Sequence, residues 1–261
     1  MCVCSCNILV DTSSGVGSYE QDCKNPDENK IDILFIGNET LATHNLPKMF
    51  KDISCSKGMA SSVFVSIAGD FDFEGHDSLP LTEELINYLE WDYVILLNSN
   101  DSMSYDLDSV NANELPMAKS LVDKIYKNYP GTQVLFLQDI GWKEGNGNVC
   151  PENNLVCDFT GHTQALVASY ESLALNTGSK VVKSAQAFEY VYSDTNIQFI
   201  PSDLWQAAGV LPSVKGSYLM AALIYAEISD STPFDAISLG GLSRSEAEYL
   251  QTIAAQIQLG I

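Results

Sequence analysis

Arginine is nearly absent from this chain. Arg244 is the single one, and 13 basic residues stand against 34 acidic ones, for a formal net charge of −21 at pH 7. So acidic a surface repels phosphate backbones and anionic headgroups, which excludes nucleic acid and anionic membranes as partners and leaves cations, cationic surfaces and neutral sugars open. Long apolar runs are missing too. Runs such as Ile33 to Ile36 and Tyr93 to Leu97 have the length of a buried strand, and none in the chain approaches the ~18 residues needed to cross a bilayer. Histidine is scarce at three residues, so few groups are available as a general base. The first ten residues lack the basic start and longer apolar region of a secretory signal, so any signal is expected to have been removed or never to have existed.

What is present describes a globular chain: 261 residues, 46% hydrophobic and 18% charged, a composition that excludes disorder, collagen and coiled coil as the main reading. Residues 1–30 carry few apolar residues after Val10 and hold turn-formers such as Ser13-Ser14-Gly15 and Asn25-Pro26-Asp27. They read as a cysteine-bearing extension, with one domain over residues 31–261. Seven cysteines fall into a cluster (Cys2, Cys4, Cys6), a middle pair (Cys23, Cys55), and Cys150 with Cys157 in a loop rich in Asn, Gly and Pro. A short Cys150–Cys157 disulfide is expected to close that loop. The terminal cluster lacks the spacers and nearby histidine of a structural zinc site, so no metal is assigned to it.

From Ile31 onward, apolar runs alternate with amphipathic stretches. Ile31 to Ile36, Val63 to Ile67, Tyr93 to Leu97, Gln133 to Leu137 and the short Lys180 to Val182 read as strands. Helices are expected at about 46–57, 81–90, 113–129, 160–177, 214–229 and 243–258. Continuous rather than alternating apolar strands, separated by helices, predict a three-layer α/β domain with a parallel sheet covered on both faces. Functional residues then belong at the carboxyl ends of the strands. Those ends are Gly37-Asn38-Glu39-Thr40, Ala68-Gly69-Asp70, Asn98-Ser99-Asn100 and Gln138-Asp139-Ile140-Gly141, all polar and rich in amides.

Five blocks in order resemble the SGNH or GDSL-type hydrolases, a superfamily of esterases and acetylesterases. Ile33-Leu34-Phe35-Ile36-Gly37-Asn38-Glu39 followed by Asn45-Leu46-Pro47 resembles a first block in which a strand ends in Gly-Asn-Ser. Ala68-Gly69-Asp70 with His76 resembles the second, and Trp91-Asp92-Tyr93-Val94-Ile95-Leu96 the strand before the third. Gly141-Trp142-Lys143-Glu144-Gly145 is similar to a later turn, and Leu211-Pro212-Ser213-Val214-Lys215-Gly216-Ser217-Tyr218-Leu219 to a final block that begins His-Pro-Ser. The resemblance implies a flavodoxin-like sheet. It also implies a serine nucleophile, a histidine base and an aspartate three residues before that histidine, because a free hydroxyl is a weak nucleophile at neutral pH. Here those positions hold Glu39, Ala208 and Leu211.

A non-catalytic member of that group, recognising a carbohydrate or another protein in an extracellular or extracytoplasmic setting, is the reading the residues favour, with no cofactor. Two others stay open: an active serine-type carbohydrate or lipid esterase using other residues, and carboxylate or metal chemistry around Glu39, Asp70 and His76, with Asp70 or Asp139 as a second acid of a glycosidase-like pair. Asn38, Glu39, Gly69, Asp70, Asn98 and Asn100 are the crevice candidates, and Trp142 and Trp205 are candidate aromatic platforms for a sugar. His76, His44 and His162 are expected to be exposed or at helix starts, without a serine partner. Two sequons occur, Asn38-Glu39-Thr40 in the crevice and Asn100-Asp101-Ser102, the second open to glycosylation in a secreted chain. The acidic clusters near Asp70 to Asp77 and Asp101 to Asp108 lack EF-hand spacing and read as solvated surface.

Overall fold

The computed structural model describes residues 30–194 and 200–261, together with the backbone of 15–18. Cys2, Cys4, Cys6 and Cys23 lie outside the described residues. Six strands form one sheet: β1 (Gly15–Ser18), β2 (Ile31–Gly37), β3 (Ser61–Ile67), β4 (Tyr93–Leu96), β5 (Gln133–Leu137) and β6 (Lys180–Val182), in the order β1-β3-β2-β4-β5-β6. Strands β2 to β6 are mutually parallel, as expected from their unbroken apolar runs. The N-terminal segment, to which no strand was assigned from sequence, adds β1 antiparallel along the edge of β3. The parallel strands follow the flavodoxin-like order, whose direction of winding reverses between β2 and β4.

The reason for continuous apolarity is visible residue by residue. Side chains alternate across a strand, so Ile33 and Phe35 of β2 enter one core while Leu34 and Ile36 enter the other. Ile95 and Leu135 likewise face the first core, and Val94 and Val134 the second. Burying each such side chain contributes about 1.5–3 kcal/mol.

Ten α-helices occur among the described residues: α1 (Glu39–Ala42), α2 (Leu46–Ser56), α3 (Phe73–Ser78), α4 (Pro80–Ile86), α5 (Asn100–Met103), α6 (Leu107–Asn128), α7 (Phe159–Thr177), α8 (Ser184–Ser193), α9 (Val214–Ser229) and α10 (Arg244–Leu259). Helices α2, α8, α9 and α10 cover the first core, and α3, α4, α6 and α7 the second. Helix α9 is apolar all round because it lies within the first core, packed against both α2 and α10. Helix α6 begins six residues earlier than expected. Asp106 accepts the Ser109 amide and caps it there, and Pro116 is carried on the exposed side of the continuous helix.

Two glycines set close approaches. A Cβ on Gly37 would lie 2.9 Å from Leu97 Cβ, so only glycine lets the exits of β2 and β4 approach this closely. A Cβ on Gly216, in the final block, would meet the Leu204 carbonyl at 2.3 Å. No helix among the described residues is long and apolar enough to cross a membrane.

Candidate functional site

The carboxyl ends of β2, β4 and β5 meet where the winding reverses, and their polar residues divide into a buried half and an exposed lip. In the buried half, Asn38 caps α1. Its Oδ1 accepts the Thr40 amide at 3.1 Å and its Nδ2 donates to the Asn98 carbonyl at 3.1 Å. The Asn98 side chain is turned inward, its Oδ1 accepting the Phe73 amide at 2.7 Å and its Nδ2 donating to Glu114 Oε2 at 2.8 Å. Asn100 Nδ2 donates to Asp139 Oδ2 at 3.1 Å and to the Ile140 carbonyl at 3.0 Å, and its Oδ1 accepts from Asn146.

Asp139 ties these exits together. It is 3% exposed, and besides Asn100 it accepts the Thr40 hydroxyl at 3.3 Å and the Ile140 amide at 2.8 Å. Burial pushes its carboxyl up to about 6, further raised by Glu39, while the hydrogen bonds from Ile140, Asn100 and Thr40 pull the other way. An acid so enclosed, with both oxygens occupied, joins loops and is not presented to a substrate. The glycosidase-like pairing that called on Asp139 therefore lacks an accessible second acid there.

The histidines overturn the sequence expectation. His76 is 1% exposed and bonded through Nε2 to the Gly37 carbonyl (3.0 Å) and through Nδ1 to Thr82 Oγ1 (3.1 Å), so it is an internal brace and not an exposed loop residue. His162 is fully buried on α7 and does have a serine partner: its Nε2 is 2.9 Å from Ser104 Oγ. The direction of that bond decides its chemistry. The Trp142 amide donates to His162 Nδ1 at 3.0 Å, so the ring proton sits on Nε2 and points at Ser104, whose hydroxyl donates in turn to the Asn100 carbonyl at 2.6 Å. A histidine already donating to the serine cannot take its proton, and burial lowers the imidazole to about 4 in spite of Asp101, so it is neutral at pH 7. His44 is exposed at the turn after α1, with a left-handed φ of 52°.

The lip is different. Glu39, Gly69 and Asp70 are exposed, and the Glu39 amide donates to the Gly69 carbonyl at 3.3 Å. Partial burial and then the nearby Asp70 raise the Glu39 carboxyl above the usual range. Ala208 is exposed and Leu211 half-buried in the segment leading to α9, where the Gln206 amide donates to the Leu211 carbonyl at 2.9 Å. Neither side chain can carry a proton. Among the described residues no group of three or more His, Cys, Asp or Glu has the arrangement of a metal site, so Glu39, Asp70 and His76 do not form one.

The tryptophan expectation needs correction as well. Trp205 is 4% exposed, its indole N–H donates to the Gly141 carbonyl at 2.9 Å, and Phe159, Phe188 and Tyr192 surround it, so it offers no open face. Trp142 is half-buried, edge-on to His162 at 5.8 Å. The Asn100 sequon is not open to glycosylation in the folded chain: Asn100 is 7% exposed and its amide nitrogen is engaged, as is that of Asn38. The Cys150–Cys157 disulfide is formed, with a Cα–Cα separation of 4.9 Å. Its loop is anchored by Asn146 and Asn148 donating to Asp101 and by Asn153 donating to the Ser104 carbonyl. Ser104 and Asn146 had no sequence signal, whereas Thr40 and Asp139 were marked by their positions just past β2 and β5.

No family model matches the sequence, and no curated protein matches it. Solved structures do. A DUF4886 family protein from Bacteroides uniformis superposes with a TM-score of 0.75 at 16% identity, over 88% of this chain and 95% of that one. A proposed SGNH hydrolase from Slackia heliotrinireducens gives a TM-score of 0.61 at 18% identity, over 77% of this chain and 100% of that one. An acetyl xylan esterase gives a TM-score of 0.56 at 11% identity, covering 73% and 96%. The reversed winding of the parallel sheet and these superpositions agree: this chain has the α/β fold of the SGNH hydrolases.

Proposed function

We propose that this chain is a non-catalytic protein built on the SGNH-hydrolase fold, whose role is recognition of a carbohydrate or a protein. The observation that carries the reading is the state of the base: both buried histidines have their ring nitrogens committed, and the residue after Asn38 is a glutamate. A glutamate attacking an ester would form an anhydride, a poor intermediate for hydrolysis. The amide donors that an ester oxyanion would call on are spent in the same way, those of Asn98 on Glu114 and those of Asn100 on Asp139 and Ile140. In this reading Glu39, Gly69 and Asp70 form the accessible lip, with residues 1–30 an extension of a single domain at 31–261. The Cys150–Cys157 disulfide and disulfide bonding of Cys55 support an oxidising, extracytoplasmic setting.

Hydrolysis of p-nitrophenyl acetate and acetylated xylooligosaccharides by the full chain tests this. No turnover above buffer is expected, and turnover that disappears in Glu39→Ala would sink the proposal. The combined variant Glu39→Ser, Ala208→Asp, Leu211→His restores the triad side chains without freeing those amide donors, so it is expected to gain esterase activity only if further substitutions release a donor at Asn98 or Asn100.

A further inference from the structure

Away from the crevice, α8 presents an unusual stripe. Gln186, Glu189, Tyr190 and Ser193 recur at i, i+3, i+4 and i+7 and line one side of a groove of ≈ 380 Å³, while Ala185, Phe188 and Val191 on the other side of the helix are fully buried. Phe159 and Thr160, at the start of α7, and Ile257 of α10 complete its walls. Tyr192 reaches the groove from the end of α8. Its ring stands 4.6 Å from Phe159 and 5.9 Å from Trp205, yet the residue is 43% exposed. An aromatic ring that is braced from behind and open in front loses little freedom when a ligand stacks on it.

The chemistry of the walls narrows the ligand. Among the described residues no basic side chain lines the groove, and Glu189 with a chain charge of −21 repels phosphates and carboxylates. Two exposed tyrosines beside an amide, two hydroxyls and a carboxylate suit a molecule with apolar C–H faces and many hydroxyl groups. A wholly apolar ligand would bury Gln186 and Glu189 without partners. We propose that this groove is a binding subsite for a neutral carbohydrate chain, with Tyr192 as the stacking platform and Gln186 and Glu189 as hydrogen-bonding groups. The inference narrows the recognition role proposed above to one ligand class and rests on it to that extent. It does not depend on the loss of hydrolysis, so ester turnover would sink the non-catalytic reading and leave this one standing.

Titration of the full chain with xylohexaose, cellohexaose and maltohexaose, followed by amide chemical shifts, provides the test, with trigalacturonic acid as the anionic control. At least one neutral hexaose is expected to shift amides of α8 and of residues 159–160, with affinity reduced about tenfold by Tyr192→Ala and several-fold by Gln186→Ala. Tyr88→Ala, which removes a 61% exposed tyrosine from the end of α4, is expected to bind as the parent does. Gln186, half-buried and outside the aromatic cluster, keeps the test valid if loss of Tyr192 loosens that cluster. The proposal is overturned by no shift from any neutral hexaose at about 10 mM, by equal binding of trigalacturonic acid, or by binding that both variants leave unchanged.

Discussion

Asp139 and Glu39 are carboxylates at neighbouring strand exits, yet they do opposite things. Asp139 is enclosed, accepts three kinds of donor and holds the exits of β2, β4 and β5 together; Glu39 stands on the open lip, raised by partial burial and by Asp70. The difference shows that a strand-end acid in this fold is a structural fastener or an accessible group according to how many donors converge on it, not according to its residue type. Removing the fastener is expected to have the largest effect. Asp139→Ala leaves the Thr40 hydroxyl, the Asn100 amide and the Ile140 N–H without their acceptor, a loss of about 3–5 kcal/mol readable by urea denaturation.

The second way to sharpen the contrast uses pH. The Asp139 carboxyl is raised from 3.8 to about 6, so its contribution to stability is full below the lower value and is lost as pH rises through the higher one, about 3 kcal/mol in all. His162 runs the other way. Its imidazole is lowered from 6.5 to about 4, so its contribution is present above 6.5 and lost as pH falls toward 4, again about 3 kcal/mol. Over this window the two nearly cancel in the parent. Asp139→Asn should unmask a steep loss of stability on acidification from pH 6.5 to 4, and a parent-like profile in that variant would contradict the assignment of Asp139.

Smaller effects follow outward from the enclosed half. Replacing Cys150 and Cys157 by serine opens a seven-residue link and is expected to cost about 2 kcal/mol in thermal or chemical melts. At the lip, Glu39→Ala should change stability by less than about 0.5 kcal/mol, since the side chain is exposed. The same substitution should lower the Asp139 midpoint, because the Glu39 charge adds to the burial that raises it. A carboxylate titration followed by NMR reads that shift directly.

Much of this was legible in the chain. The parallel sheet followed from strands such as Val94 to Leu97, apolar at every position because each face meets a different core. Helix α9 matched its expected bounds, since Ser213 caps it and an unbroken apolar stretch fills it. The histidines were misread for a physical reason. A histidine among polar neighbours looks solvated, but His76 is braced by a carbonyl 39 positions away and His162 by a hydroxyl 58 positions away, and no local pattern announces either. Trp205 was misplaced for the same reason, its surroundings arriving from α7 and α8. The crevice candidates split as the number of converging donors dictates: Asn38, Asn98 and Asn100 are committed inward, and Glu39, Gly69 and Asp70 are not.

The inward commitment of Asn38 and Asn100 sets a race during synthesis. Both are acceptor sequons while the chain is extended, and both vanish from reach once their amide nitrogens are claimed by the Asn98 carbonyl and by Asp139. A glycan attached first to Asn100 would stand where the loop carrying Asn146 must close, so in a glycosylating host the fraction bearing sugar at Asn100 is expected to be unable to complete its fold. Yield of native protein there is governed by which comes first, the transferase or the closing of the loop, and Ser102→Ala, which erases the Asn100 sequon, should raise it.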